Sequence, residues 1–100
     1  MERTPHDRFT DEQIRTMLSG MPGWEYNVEK VTIEKNFVRK NFLDASAFIQ
    51  QIAEIAEQHD HHPDLLLWSY KNVRVMLSTH SAKGVTQNDF DLARAIDKLS

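Results

Sequence analysis

Four of the five histidines of the chain, His59, His61, His62 and His80, fall within about two dozen residues of one another. The tightest run is His59-Asp60-His61-His62-Pro63. An unperturbed imidazole titrates near ~6.5, so such a group supplies both protonated donors and free bases at neutral pH, which suits proton-transfer chemistry. Neighbours on an extended segment point apart, so His61 and His62 reach different parts of a site. His80, at the end of a strand, closes the group if that end lies beside the histidine run, and Glu57 is placed to orient one imidazole. Two other readings use the same residues: a set of surface histidines on a loop, or a metal site with Glu57 or Asp60 as an oxygen ligand. The spacings match no helical zinc pattern such as H-E-x-x-H.

The elements that must position these residues are read from periodicity and caps. Residues 1–9 form a flexible lead-in that contains Pro5 and His6. Thr10 with Gln13 three residues on is a capping-box pattern, and it opens a helix over 11–19 that ends at Gly20. After Met21-Pro22-Gly23, alternation replaces helical spacing and predicts antiparallel strands near 23–29 and 31–39. Asp44 is the expected N-cap of the longest helix, 45–58, with Phe48, Ile49, Ile52, Ile55 and Ala56 on one stripe. Pro63 stops it beyond the histidines, because proline lacks an amide donor and holds His62 extended.

Leu65 to Tyr70 and Val73 to Leu77 read as two more strands. Ser81-Ala82-Lys83-Gly84 is loop chemistry, and Thr86 caps a final helix carrying Phe90, Ala93, Ile96 and Leu99 on a common stripe. The expected fold is α+β: an antiparallel four-stranded sheet with three helices on one face, in the order α-β-β-α-β-β-α. The uncovered face and edges favour association into a homodimer or homotetramer.

Composition narrows the function. One hundred residues at 11.7 kDa suit a single domain spanning 1–100. A net charge of −3 argues against a nucleic-acid partner. The local basic stretch Lys30, Lys35, Arg39 and Lys40, interrupted by Glu34, reads as a solvated strand face. The absence of cysteine excludes disulfides and thiolate chemistry. No apolar run reaches the ~20 residues of a membrane span, and Met1 to Pro5 has no signal-peptide core, so a soluble cytoplasmic protein is expected.

The series Glu57-x-x-x-His61-His62-Pro63, then Tyr70, His80 and Asp89, resembles the pterin-4a-carbinolamine dehydratase family. Gly23-Trp24, Leu77-Ser78-Thr79-His80 and Gly84-Val85-Thr86 extend the likeness over nearly the whole chain from Thr10. The sequence departs from the family at one point: six residues rather than five separate Pro63 from Tyr70. The aromatic position of the motif is therefore Tyr70 after an insertion, or Trp68, and the spacing to His80 favours Tyr70.

The resemblance implies dehydration of 4a-hydroxytetrahydropterin to quinonoid dihydropterin, the recycling step of tetrahydrobiopterin, without metal or cofactor. It implies proton donation by His61 and His80 on opposite faces of the pterin, and substrate binding by His62, with Ser78, Thr79, Trp24 and Glu57 in supporting contact. Asp60, Pro63, Tyr70 and Asp89 complete the motif in structural or unassigned roles, Asp89 as the partner of Thr86 in a capping box, while His59 lies outside the pattern. Some animal members of the family also serve as dimerisation cofactors for a homeodomain transcription factor. A non-enzymatic binding or assembly module on the same fold is thus the alternative.

Overall fold

The computed structural model describes residues 7–100, so Pro5 and His6 lie outside the described residues. The expected order is realised. Helix α1 (Asp11–Leu18) is followed by β1 (Glu25–Asn27), β2 (Thr32–Val38), α2 (Phe42–His59), β3 (Asp64–Trp68), β4 (Asn72–Leu77) and α3 (Gln87–Leu99). The strands form one antiparallel sheet in the order β1-β2-β4-β3. A single 3₁₀ turn, His80–Ala82, links β4 to α3.

Both threonine caps work as the sequence implies. Thr10 Oγ1 accepts from the Gln13 amide at 3.1 Å while the Gln13 side chain accepts from the Thr10 amide at 2.8 Å. Thr86 and Asp89 repeat the reciprocal arrangement at α3. Helix α2 starts three residues earlier than expected. Asn41 is its N-cap, accepting from the Asp44 amide at 2.8 Å. Asp44 sits inside the first turn, where it accepts from the Lys40 amide and from Arg39. An acid in a helix's first turn is favoured by the dipole as well as by such bonds, so Asn41 and Asp44 act together rather than compete.

The first hairpin is shorter than the alternation suggests. Val31 adopts φ 56°, a left-handed conformation that a β-branched residue takes only under tertiary constraint, and the pairing of β1 with β2 stops at Asn27 and Thr32. The stretch expected as a lead-in is also anchored at its end. The Phe9 amide donates to the Val85 carbonyl at 2.8 Å, and its ring packs on Phe90.

Register decides which sheet face is buried. Ile33 pairs with Leu77 and Phe37 with Val73 across β2 and β4, and with Val75 these residues join Ile14, Phe48, Ile52, Phe90 and Ile96 in the core. Side chains alternate along a strand, so Lys35 falls on this buried face and not on a solvated one. It reaches out past the Phe37 and Trp24 rings to Asp97, at 2.8 Å, and to the Pro22 carbonyl. Arg39 is likewise committed, to Asp44 and the Phe48 ring.

The opposite sheet face is polar at its centre. Glu34, 5% exposed, receives Thr32, Asn27 and two Arg74 nitrogens. Burial pushes its carboxyl up, but the bonds from Thr32, Arg74 and Asn27 outweigh burial and hold it below the ordinary glutamate value. A depressed folded-state pKa contributes stability above the unfolded value of 4.5 that is lost as pH falls through the folded one. Glu34→Gln is therefore expected to destabilise the protein at neutral pH by about 1–3 kcal/mol, and to flatten its loss of stability below about pH 4.5, as read by urea melts across pH.

Candidate functional site

The histidine pair leaves α2 through a defined stop. Asp60 takes the left-handed conformation, φ 50°. Its amide returns to the Glu57 carbonyl at 3.1 Å, and the His61 amide returns to Ala56 at 3.1 Å. These two bonds are a Schellman motif with aspartate, one of the few residues besides glycine that visits this region, at the left-handed position. The helix thus ends four residues before Pro63, and His61 is turned back toward the body of the domain.

There His61 meets Asp89. Its Nε2 lies 2.5 Å from Asp89 Oδ1, with 12% of the imidazole side chain and none of the carboxylate exposed. Asp89 Oδ2 accepts from the Thr86 amide and from Thr79 Oγ1, each at 2.9 Å. Since the Thr79 hydroxyl has one hydrogen and spends it on Asp89, the 2.8 Å contact between the two threonine oxygens is donated by Thr86. Thr86 Oγ1 in turn accepts the Asn88 amide at 3.2 Å. An ionised carboxylate only accepts, so Nε2 of His61 carries the hydrogen and Nδ1 is the ring nitrogen left for a ligand.

The sheet brings the other end of β4 to the same place. Asp64 pairs with Met76, so the loop entering β3 and the segment leaving β4 are adjacent. A cavity of about 350 Å³ opens between them, lined by Asp60, His61, His62, Ser78, Thr79, His80, Ser81 and Asn88. His80 sits exposed on its rim in a short loop closed by the Thr79 and Gly84 backbones, with 2.8 Å from the Thr79 amide to the Gly84 carbonyl. His62 is exposed and pairs through Nε2 with Glu57 at 2.5 Å; both side chains are more than half solvated, so the pair orients more than it stabilises.

The arrangement brings together His61, His62, His80, Ser78, Thr79 and Asp60, with Glu57 and Asp89 one contact behind. Thr79 has little left to offer a ligand, because its hydroxyl and both backbone groups are engaged within the chain. Trp24 is not on this cavity wall. It is 5% exposed, stacks edge-on with Phe37 and donates to Asp97 at 3.0 Å.

Neither aromatic candidate reaches the cavity. β3 runs away from the histidines, at about 3.3 Å per residue. Tyr70 lies in its far turn at φ 55° and is 56% exposed, and Trp68 donates to Asn36 on the polar sheet face. His59 borders a different cleft, between α2 and α3. Asn88 and Ser81 line the cavity without having been singled out by sequence; the only signal for Asn88 is its place just inside the Thr86 cap. Among the described residues no three histidine, aspartate or glutamate side chains are arranged to hold a metal ion, and no helix is long and apolar enough to cross a membrane.

A small α+β domain carries, at one end of its sheet, an imidazole cluster backed by one buried and one solvated carboxylate. The chain belongs to the family described as pterin 4 alpha carbinolamine dehydratase, which it matches over residues 7–99. A protein of Rhodopseudomonas palustris strain BisB18, named "putative pterin-4-alpha-carbinolamine dehydratase", is 44% identical over 95 residues, covering 93% of this chain and 91% of its own. A Picosynechococcus protein of the same name is 46% identical, covering 92% and 97%. Among solved structures, a protein from Brucella melitensis titled as a transcriptional coactivator/pterin dehydratase superposes with a TM-score of 0.86 at 34% identity, covering 93% of this chain and 98% of that one.

The dyad has a direct spectroscopic consequence. Proton NMR is expected to show one exchange-protected imidazole N–H, that of His61, which disappears in Asp89→Asn; the same variant loses about 1–3 kcal/mol of stability with the buried bonds. Persistence of the signal in the variant contradicts the pairing.

Proposed function

We propose that the protein dehydrates 4a-hydroxytetrahydropterins to the quinonoid dihydropterin, the recycling reaction of tetrahydrobiopterin, by histidine acid–base catalysis in the cytoplasm and without a cofactor. The observation that carries this reading is the cavity on which His61, His62 and His80 converge, with His61 locked by Asp89. In the reaction the C4a–O bond breaks, the oxygen leaves as water after taking a proton, and N5 gives up its own proton as the C4a–N5 double bond forms. One proton is given and one is taken, so the catalyst returns to its starting state.

Two imidazoles on different walls suit those demands. His61 offers Nδ1 from an orientation fixed by Asp89, and His80 offers an exposed ring at the rim. His62, paired with Glu57, binds the pterin rather than moving a proton. Ser78, Ser81 and Asn88 give the wall a polar edge complementary to the pyrimidine part of a pterin. Each positioned acid or base is worth ~10²- to 10⁴-fold in rate.

A second reading, a binding module on the same fold, has its own observation. Val38, Phe42, Leu43, Trp68 and Tyr70 are each at least 45% exposed and belong to the sheet end remote from the histidines. Such a surface suits self-association into a dimer or tetramer, or a protein partner.

Stopped-flow dehydration of freshly generated 4a-hydroxytetrahydropterin separates the readings. His61→Ala and His80→Ala are expected to lower kcat by ~10²- to 10⁴-fold, and His62→Ala chiefly to raise KM. Full activity in all three variants would overturn the mechanism, and absence of acceleration by the unmodified protein would favour the binding module.

A further inference from the structure

One wall of the histidine cavity has a second side. Ser78, Thr79 and His80 also line a second cavity, of about 420 Å³, whose other walls are Lys30, Val31, Thr32, Asp64, Lys83 and Gly84. Lys30 comes from the β1–β2 loop and Lys83 from the end of the 3₁₀ turn, where it takes φ 55°. Both loops lie at the sheet end that carries the histidines, since Ile33 pairs with Leu77. Val31 is packed in its left-handed conformation close to Gly84, which holds the Lys30 loop against the Lys83 loop.

Lys35 and Arg39 are spent on Asp97 and Asp44, whereas Lys30 and Lys83 have no carboxylate within ion-pair distance among the described residues. Arg8 adds further positive charge beside them, reaching the Lys83 carbonyl at 3.4 Å. Asp64 is the one acid on the wall. In an acidic chain this is a concentrated positive field next to the reaction site, and a concave wall focuses it.

The chemistry of the substrate says what would enter. C6 of a pterin is bonded to N5, one of the two reacting centres, so the group that serves N5 or the C4a oxygen lies beside the C6 substituent. His80 stands at the junction of the two cavities. With His80 serving N5, a pterin ring among the histidines directs its C6 substituent past His80 toward Lys30 and Lys83. We propose that this second cavity is the subsite for the C6 substituent and that it selects pterins whose substituent is anionic, such as a phosphate monoester. This rests on the dehydratase reading for the placement of the ring.

Equilibrium binding tests it without requiring turnover. The fluorescent, unreactive 6-hydroxymethylpterin and its phosphate monoester are titrated against the full chain and against Lys30→Gln/Lys83→Gln. The monoester is expected to bind about tenfold tighter at low ionic strength, with the advantage shrinking as salt screens exposed charges. The double variant is expected to lose that advantage while keeping its affinity for 6-hydroxymethylpterin, and inorganic phosphate to displace only the monoester, and only at much higher concentration. Equal affinity for the two pterins, or a preference that survives in the double variant, overturns the subsite while leaving the dehydratase reading in place. Inorganic phosphate binding as tightly as the monoester would mark a site for a free anion and overturn it too. Failure of the monoester alone to bind likewise overturns only the subsite, and failure of both pterins to bind counts against the dehydratase reading and removes the subsite with it.

Discussion

A carboxylate sealed from solvent must be given donors, and the requirements of Asp89 organise the functional end of this protein. Its two oxygens are met by the amide of Thr86, the hydroxyl of Thr79 and the imidazole of His61. Those partners belong to the start of α3, the segment leaving β4 and the segment leaving α2. One buried residue thus joins a helix cap to the site, and the capping box and the histidine anchor are the same side chain. Leaving any of these groups unpaired in the interior costs ~1–3 kcal/mol, so the geometry of His61 is enforced by the stability of the fold.

The rest of the architecture follows from which sheet end each loop occupies. The β1–β2 loop, the entry to β3 and the exit from β4 gather at one end, and they carry Lys30, His61, His62 and His80. The other end holds the β3–β4 turn and the start of α2, with Val38, Phe42, Leu43 and Tyr70 exposed. Most of the exposed large apolar side chains therefore lie the length of the strands away from the histidines, with Val28 in the β1–β2 loop and Leu66 in β3 outside that group. A protein of this shape can assemble through one end without obstructing the other.

How much of this was legible in the sequence depended on whether the signal was local. The Thr10–Gln13 and Thr86–Asp89 boxes are contiguous patterns, and both appear as read. The element order followed from periodicity, and the histidine cluster from composition and its resemblance to a family motif. Asn41 was passed over because two good caps lie three residues apart, and Asp44 plays the accompanying role. The left-handed Val31, which lies close to Gly84, had no local signature. Lys35 was misread because its burial depends on strand register, which sets it among Ile33 and Phe37. Motif spacing favoured Tyr70 over Trp68 as the family's aromatic position and left its role unassigned; the direction of β3 carries it away from the cavity, and no spacing rule conveys direction.

The contact of Asp89 with His61 was likewise invisible. A capping residue is expected to serve its own helix, and only the tertiary fold brings His61 to its free oxygen. The proposed acid–base role of that cluster is tested most directly by the pH dependence of dehydration by the unmodified protein. A bell-shaped kcat/KM profile, with both limbs inside the roughly pH 5–8 range of imidazoles, is the predicted result. A rate no faster than buffer, or a profile flat across that range, would contradict it.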